Sequence, residues 1–214
     1  MTINKEGLPL ISLVLGGSLC FLIAGVGLQL PVLTVIAAIG FLKAGFFCYF
    51  FRDPERYPPS TYEEGKNLLS PADGKVLEIV NEADNTNTIR IFLSVFNVHV
   101  QRSPAEGRIV KIERKKGVYL PAMNKSAHAE NDQNIITIET SSGEKIVVKQ
   151  IVGILARRLV LWKKEGDSVK AGERIGMIKF GSQVDITFPE TYKSLVSDGD
   201  VVSGGTSIMA QKAH

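Results

Sequence analysis

The sequence of 214 residues has few of the side chains that bind metal ions or form disulfides: two cysteines and three histidines. Cys20 and Cys48 both lie in apolar surroundings, where free cysteine behaves as a small hydrophobic residue. The net charge is only +3, and no Arg-rich segment with interleaved aromatic residues is present. The composition therefore predicts no resident metal, no nucleic-acid partner and a reducing, cytosol-facing environment.

Charge is almost absent from residues 8–51, where Lys43 is the one charged side chain. This segment contains two apolar runs, Leu8–Leu28 and Pro31–Phe51. Each run has roughly the ~20 residues that a helix needs to cross a bilayer. The proline that opens the second run suits the first turn of a helix. We therefore predict a membrane-anchoring helical hairpin over residues 1–51.

Positive charge lies on both sides of this hairpin, at Lys5 before it and at Arg52 and Arg56 after it. The positive-inside rule then places both ends in the cytoplasm, at the cell (inner) membrane. Lys43 leaves a shallow re-entrant hairpin open, because a charge deep in the bilayer is costly. A cleaved signal peptide is disfavoured by the length of the apolar region.

A Pro-rich linker over residues 52–65 breaks any helix that leaves the membrane. Residues 66–214 alternate short β-branched runs with Gly, Asp and Asn turns, which predicts a mainly β domain with little helix. A hairpin turn is expected at Ser141–Gly143, and one or two helical turns over Ser126–Asn131. The predicted strands are Val76–Val80, Thr88–Val95, Arg108–Glu113, Ile135–Glu139 and Lys145–Ile151.

An internal repeat occurs near the end of the chain, where residues 166–175 and 199–208 both read G-D-x-V-x-x-G-x-x-I. This unit resembles the hairpins of biotinyl and lipoyl carrier domains. Repeated hairpins of this kind predict a flattened, pseudo-symmetric β-barrel or sandwich. The predicted fold is thus mainly β, preceded by the hydrophobic helical hairpin.

Three short motifs follow one another along the β-rich region: S-P-A-D-G-K at residues 70–75, F-N-V-H-V at 96–100 and F-G-S-Q-V-D at 180–185. Taken singly, they are typical of a turn, of a buried core histidine and of a second turn. Taken together and in this order, behind an apolar anchor, they closely resemble the phosphatidylserine decarboxylases in their short form. The members of that family are self-cleaving, pyruvoyl-dependent enzymes.

The resemblance implies that the chain is a zymogen that cuts itself between Gly181 and Ser182. The products would be residues 1–181 and 182–214, which stay associated, and Ser182 would become a covalent pyruvoyl cofactor. The ketone of that group forms a Schiff base with the substrate amine and acts as an electron sink during decarboxylation. The implied reaction converts phosphatidylserine to phosphatidylethanolamine in phospholipid biosynthesis, at a membrane. A homo-oligomer is left open.

The resemblance also implies a role for two further side chains. His99 becomes the general base that activates Ser182, a task to which the usual histidine pKa near ~6.5 is suited. Asp73 is placed beside His99, where it orients the ring and completes an Asp-His-Ser arrangement. Longer members of the family have H-x-x-H where this chain has Phe96, so a role of that first histidine does not transfer. His128 is expected on the surface.

Two other functions remain compatible with the sequence. The tandem repeat favours a membrane-anchored carrier or adaptor of the biotinyl/lipoyl type, but the residues at its expected lysine turn are Lys179 to Ser182, without the usual motif. The same chemistry on an archaeal-type serine lipid is the other alternative, and nothing in the sequence separates the two lipids.

Overall fold

The computed structural model describes residues 2–121, 124, 126–153, 158–179 and 182–213. The chain divides into two compact units, Met1–Glu55 and Arg56–His214. The first unit contains helices α1 (Leu8–Gly27) and α2 (Pro31–Phe50). Both are long and apolar enough to cross a membrane, and most of their side chains are not buried within the protein. The prediction of two apolar helices in a hairpin is confirmed.

Close contact between the two helices depends on a glycine. A Cβ built on Gly40 would lie only 2.0 Å from the Oγ atom and 3.1 Å from the Cβ atom of Ser18, so any larger residue would require Ser18 to shift. The ends of the hairpin are joined by a short antiparallel pair, β1 (Thr2–Ile3) with β2 (Arg52–Asp53). This pairing gives the polar backbone on either side of the apolar helices a regular set of partners.

The second unit is built almost entirely from strands, in agreement with the predicted fold class. Its one helix among the described residues is α3 (Ala127–Glu130). The strands are β3 (Asn67–Leu69), β4 (Gly74–Asn81), β5 (Thr86–Leu93), β6 (Val100–Arg102), β7 (Gly107–Lys115), β8 (Gln133–Glu139), β9 (Lys145–Val152), β10 (Arg158–Leu161), β11 (Ser168–Val169), β12 (Arg174–Lys179), β13 (Ser182–Pro189), β14 (Tyr192–Ser194), β15 (Val201–Val202) and β16 (Ile208–Lys212).

The strands form a symmetrical arrangement. One eight-stranded sheet has the order β11-β7-β8-β9-β13-β5-β4-β15, and two three-stranded sheets have the orders β10-β12-β6 and β14-β16-β3. All of these neighbours are antiparallel. The large sheet is symmetrical about its central pair, since an antiparallel pair of strands and a short edge strand lie on each side of β9 and β13. The predicted pseudo-symmetry is therefore present.

The repeated turns are built alike. Gly166 and Gly199 both have φ of 90°, and Gly172 and Gly205 have φ of 76° and 77°. Such positive values favour glycine, because a Cβ would strain the backbone. The angles match in pairs, which shows that the G-D-x-V-x-x-G pattern folds into the same turn at both places.

One predicted strand is too long. The expected strand Thr88–Val95 ends at Leu93, because the next residues form a tight turn. The amide of Asn97 donates to the carbonyl of Ser94 at 3.0 Å, and the Asn97 side chain accepts from the amide of Ser94 at 2.9 Å. This reciprocal pairing takes the chain out of the sheet and turns it toward β6.

The hydrophobic core is lined by inward-facing residues of the sheets, among them Ile89, Ile91, Val148, Val184 and Ile186, all buried. Side chains alternate between the two faces of a strand. The inward positions of β13 are therefore apolar, and the next positions along the strand, which face the other way, are polar.

Candidate active site

Ser182 is the first residue of β13, in the middle of the eight-stranded sheet. Its backbone is paired with Leu93 of β5 on one side and with Val152 of β9 on the other. Phe180, Gly181 and the side chain of Ser182 lie outside the described residues. The predicted cleavage site thus immediately precedes a strand that is held on both edges.

His99 lies directly before β6, and its backbone contacts β12, the strand that precedes Ser182 along the chain. The amide of Ile178, in β12, donates to the carbonyl of His99 at 3.2 Å. Four residues span at most about 14 Å, so Ser182 cannot be far from Ile178. The partner of Ser182 across the sheet, Leu93, is joined to His99 by the tight turn. Two independent connections therefore hold His99 and Ser182 in the same region.

The His99 ring is fully buried, and its tautomer follows from one contact. The Nδ1 atom lies 2.9 Å from the backbone carbonyl of Asn97. A carbonyl only accepts hydrogen bonds, so Nδ1 carries the hydrogen and Nε2 carries the lone pair in the neutral ring. Because Asn97 is fixed by the turn that precedes it, the ring is held in a state that can accept a proton at Nε2.

Asp73 is also buried, at the turn that leads into β4. Its carboxylate forms a bidentate ion pair with the guanidinium group of Arg56, in which Nη2 of Arg56 lies 2.8 Å from Oδ2 of Asp73. It also accepts from the amide of Gly204 at 2.8 Å, and Arg56 donates to the Gly204 carbonyl at 2.9 Å. The hydrogen bonds described for Asp73 thus lead to Arg56 and Gly204 and not to His99. Orientation of His99 by Asp73 stays a prediction.

A second buried carboxyl group, Asp185, was not predicted from the sequence. It lies in β13 and accepts a hydrogen bond from Gln183 at 2.7 Å. Burial raises the pKa of Asp185 to about 6, although Gln183 and the cations Lys149 and Arg90 act to lower it. Carboxyl groups with perturbed pKa values are candidates for functional sites. The available signal was an aspartate between valine and isoleucine in an apolar strand.

The loop around α3 is tied to the same strands through Asn131. This buried side chain donates to the carbonyls of Leu120 and Val152 at 2.9 and 2.8 Å and accepts from the Leu120 amide at 2.8 Å. Val152 is the strand partner of Ser182. His128 lies on α3 and is half-buried, so the expectation of a surface position is only partly met.

Comparison with known proteins agrees with these observations. The family model described as phosphatidylserine decarboxylase matches residues 44–210. A phosphatidylserine decarboxylase proenzyme of Syntrophus aciditrophicus is 39% identical over 211 residues, covering 96% of this chain and 95% of that protein. Proenzymes of the same name from Solibacter usitatus and Nitratidesulfovibrio vulgaris are 43% and 39% identical, covering 82% and 100% of this chain and 83% and 96% of their own lengths.

These matches place the chain among the decarboxylases, which are carbon–carbon lyases. More particularly, the chain belongs to the phosphatidylserine decarboxylase family. The resemblance stated from the three motifs is therefore confirmed at the level of the family, and the carrier alternative is set aside.

Proposed function

We propose that the chain cuts itself between Gly181 and Ser182 and then decarboxylates phosphatidylserine to phosphatidylethanolamine. The observation that carries this proposal is the position of His99. Its lone pair is on Nε2, and its backbone is hydrogen-bonded to the strand that leads into Ser182. The proposal places the Ser182 hydroxyl within reach of this nitrogen, since an imidazole base beside a serine is the arrangement that activates a hydroxyl group as a nucleophile.

Cleavage begins with proton transfer from the Ser182 hydroxyl to Nε2 of His99. The hydroxyl oxygen attacks the carbonyl carbon of Gly181, where the absence of a side chain leaves the approach open. The carbon–nitrogen bond breaks, and the Ser182 nitrogen takes the proton as it becomes an amine. The product is an ester that joins the carbonyl of Gly181 to the oxygen of Ser182.

A second proton transfer completes the cut. A base removes the α-proton of Ser182, and the bond to the ester oxygen breaks, so that the Gly181 carboxylate leaves with its electron pair. The resulting dehydroalanine tautomerises, and water hydrolyses it to a ketone and ammonia. The pyruvoyl group so formed supplies a carbonyl that takes up the electron pair released with carbon dioxide. We assign the proton transfers to His99, with Asp73 in support.

The two chains are expected to remain together after the cut. Residues 182–214 would carry β13, which pairs with both β5 and β9. They would also carry β15 and β16, which pair with β4 and β3. Three strands of the smaller chain are thus held by strands of the larger one, and the inward side chains of β13 lie in the common core.

We assign the hairpin α1–α2 to the cell (inner) membrane, with the catalytic domain on the cytoplasmic side. The two apolar helices support membrane attachment. The cations Lys5, Arg52 and Arg56, outside the helices, support the cytoplasmic side. An anchored enzyme meets a lipid substrate at its surface concentration, which is the advantage of this arrangement.

Deletion of residues 1–51 is expected to leave self-cleavage intact and to lower the turnover of bilayer lipid. The truncation keeps Arg56, so the ion pair with Asp73 is preserved. Release of carbon dioxide from vesicles containing phosphatidylserine should fall about 10-fold or more, since the enzyme loses its high effective concentration at the surface. Turnover of a short-chain, water-soluble phosphatidylserine should change little.

The full-length protein in the same detergent is the control for this comparison. Equal losses on both substrates would mean that the hairpin shapes the active site and does not merely locate it. If neither protein forms an ethanolamine lipid from either substrate, the proposed reaction itself is wrong.

A further inference from the structure

Two glutamine side chains meet beside the hydrophobic core. Gln150 of β9 and Gln101 of β6 are both fully buried. The Nε2 atom of Gln150 lies 2.8 Å from Oε1 of Gln101, and Nε2 of Gln101 lies 2.8 Å from the carbonyl oxygen of His99. This pair of amides connects the eight-stranded sheet to the backbone of the proposed base.

The connection also continues in the other direction, away from His99. Asn134 donates to Oε1 of Gln150 at 2.9 Å, and Arg114 donates to Oδ1 of Asn134 at 3.0 Å. A guanidinium group only donates and a backbone carbonyl only accepts, so the two ends fix the orientation of every amide between them. All the bonds point toward His99, which is the arrangement in which hydrogen bonds strengthen one another.

The neighbouring strands leave space for these hydrogen-bonded amide side chains. A Cβ built on Gly176, the strand partner of Gln101, would lie 2.4 Å from the carbonyl oxygen of Val160 and 2.7 Å from Nε2 of Gln150. The residues on either side of Gln150 on the same face of β9, Val148 and Val152, belong to the hydrophobic core. Apolar side chains would fill this space without the desolvation cost of amides. The presence of amide side chains at these positions therefore indicates a role other than packing.

We propose that Gln101 and Gln150 are positioning residues for self-cleavage, a role that rests on the proposed function. The carbonyl of His99 accepts from both Gln101 and the amide of Ile178. One oxygen atom thus joins the buried amides, the base and the strand that leads to the predicted cleavage site. Loss of the Gln101 bond removes one of these two restraints, so the position of His99 relative to that strand is less closely fixed.

The test follows the cleavage of newly synthesised chains over time in a cell-free system. Gln101→Met keeps the size of the side chain and removes the donor to His99, while Gln150 retains the Val160 carbonyl, at 3.4 Å, as an acceptor. We expect cleavage about 10-fold slower, the effect of one hydrogen bond on a rate. Thr88→Val is the matched control, because it removes a partly buried hydrogen bond between the hydroxyl groups of Thr88 and Thr187, at 2.8 Å and away from His99.

Stability is measured separately, on uncut chains that carry Ser182→Ala. The melting temperatures of the Gln101→Met and Thr88→Val chains should agree within about 4 °C, a difference of roughly one hydrogen bond. If both variants cleave at the same rate, or if Gln101→Met cleaves like the wild type, the positioning role is wrong.

A third variant separates positioning from packing. In Gln101→Glu a protonated carboxyl group can donate to the His99 carbonyl, whereas a carboxylate cannot. Its cleavage rate relative to the wild type at the same pH should rise as the pH is lowered from 8 to about 6, since burial favours the protonated acid. The relative rate of Gln101→Met should stay constant; a parallel course for both variants contradicts the inference. A wild-type chain that never cuts overturns the proposed function, and this inference with it.

Discussion

Replacement of His99 by alanine is expected to leave the chain uncut. The Ser182 hydroxyl then has no acceptor for its proton, and general base catalysis contributes a factor of about 10²–10⁴ to such steps. The uncut chain should appear as a single species after denaturation, over a period in which the wild type is fully processed.

His128→Ala is the matched control for this experiment, because His128 lies on α3 and has no assigned part in the cut. It should process at the wild-type rate. His99→Gln adds a side chain that can keep the bond to the Asn97 carbonyl but cannot take up a proton, so it should fail like alanine. A His99→Ala chain that is cut at the wild-type rate would remove His99 from the mechanism.

Substitution of Asp73 by asparagine is expected to slow the cut by about 10²-fold, because the negative charge that supports a protonated His99 is lost. The ion pair with Arg56 complicates this experiment, since its loss leaves a largely buried guanidinium group without its anion. Removal of one partner of a buried pair is strongly destabilising by itself. Cleavage and unfolding of the uncut chain therefore have to be measured together.

Arg56→Met separates the two effects, because it breaks the ion pair and keeps the carboxylate of Asp73. If Asp73 acts on His99, the asparagine variant should cut much more slowly than the Arg56 variant at comparable stability. Equal rates in the two variants would mean that Asp73 serves the fold through Arg56 and Gly204, and that the Asn97 carbonyl suffices to orient His99.

The parts of the molecule that the sequence predicted are those set by local pattern. Two apolar runs of helical length gave α1 and α2, and the G-D-x-V repeat gave two equivalent turns with glycines at positive φ. The sequence also contains a second repeat. Ser70-Pro71-Ala72-Asp73-Gly74 and Ser103-Pro104-Ala105-Glu106-Gly107 are separated by the same 33 positions as the G-D-x-V units.

This second repeat has a structural counterpart in two interlocked turns. The amide of Arg102 donates to the carbonyl of Pro71 at 2.8 Å, and the amide of Leu69 donates to the carbonyl of Pro104 at 2.8 Å. The hydroxyl groups of Ser70 and Ser103 make the same bond, at 2.7 Å, to the alanine two residues later. Read together, the two repeats predict the internal symmetry of the large sheet.

The contacts that define the site could not be predicted in this way. Nδ1 of His99 contacts a backbone carbonyl, and Asp73 pairs with an arginine 17 residues earlier, in a segment predicted to be a linker. The amide chain from Gln150 to Gln101 joins residues 49 positions apart. Such pairs depend on how the sheets pack, and a single sequence carries no periodic signal for them.

The most direct test of the account is the intact mass of the purified wild-type protein under denaturing conditions. We expect two chains, residues 1–181 and 182–214, with the smaller chain lighter than its encoded form by one ammonia and heavier by two hydrogens after borohydride treatment. Borohydride should also abolish decarboxylation. A single chain of 23.3 kDa that persists under native conditions would contradict self-cleavage. A small chain that begins with a free serine amine would indicate ordinary proteolysis in place of a pyruvoyl enzyme.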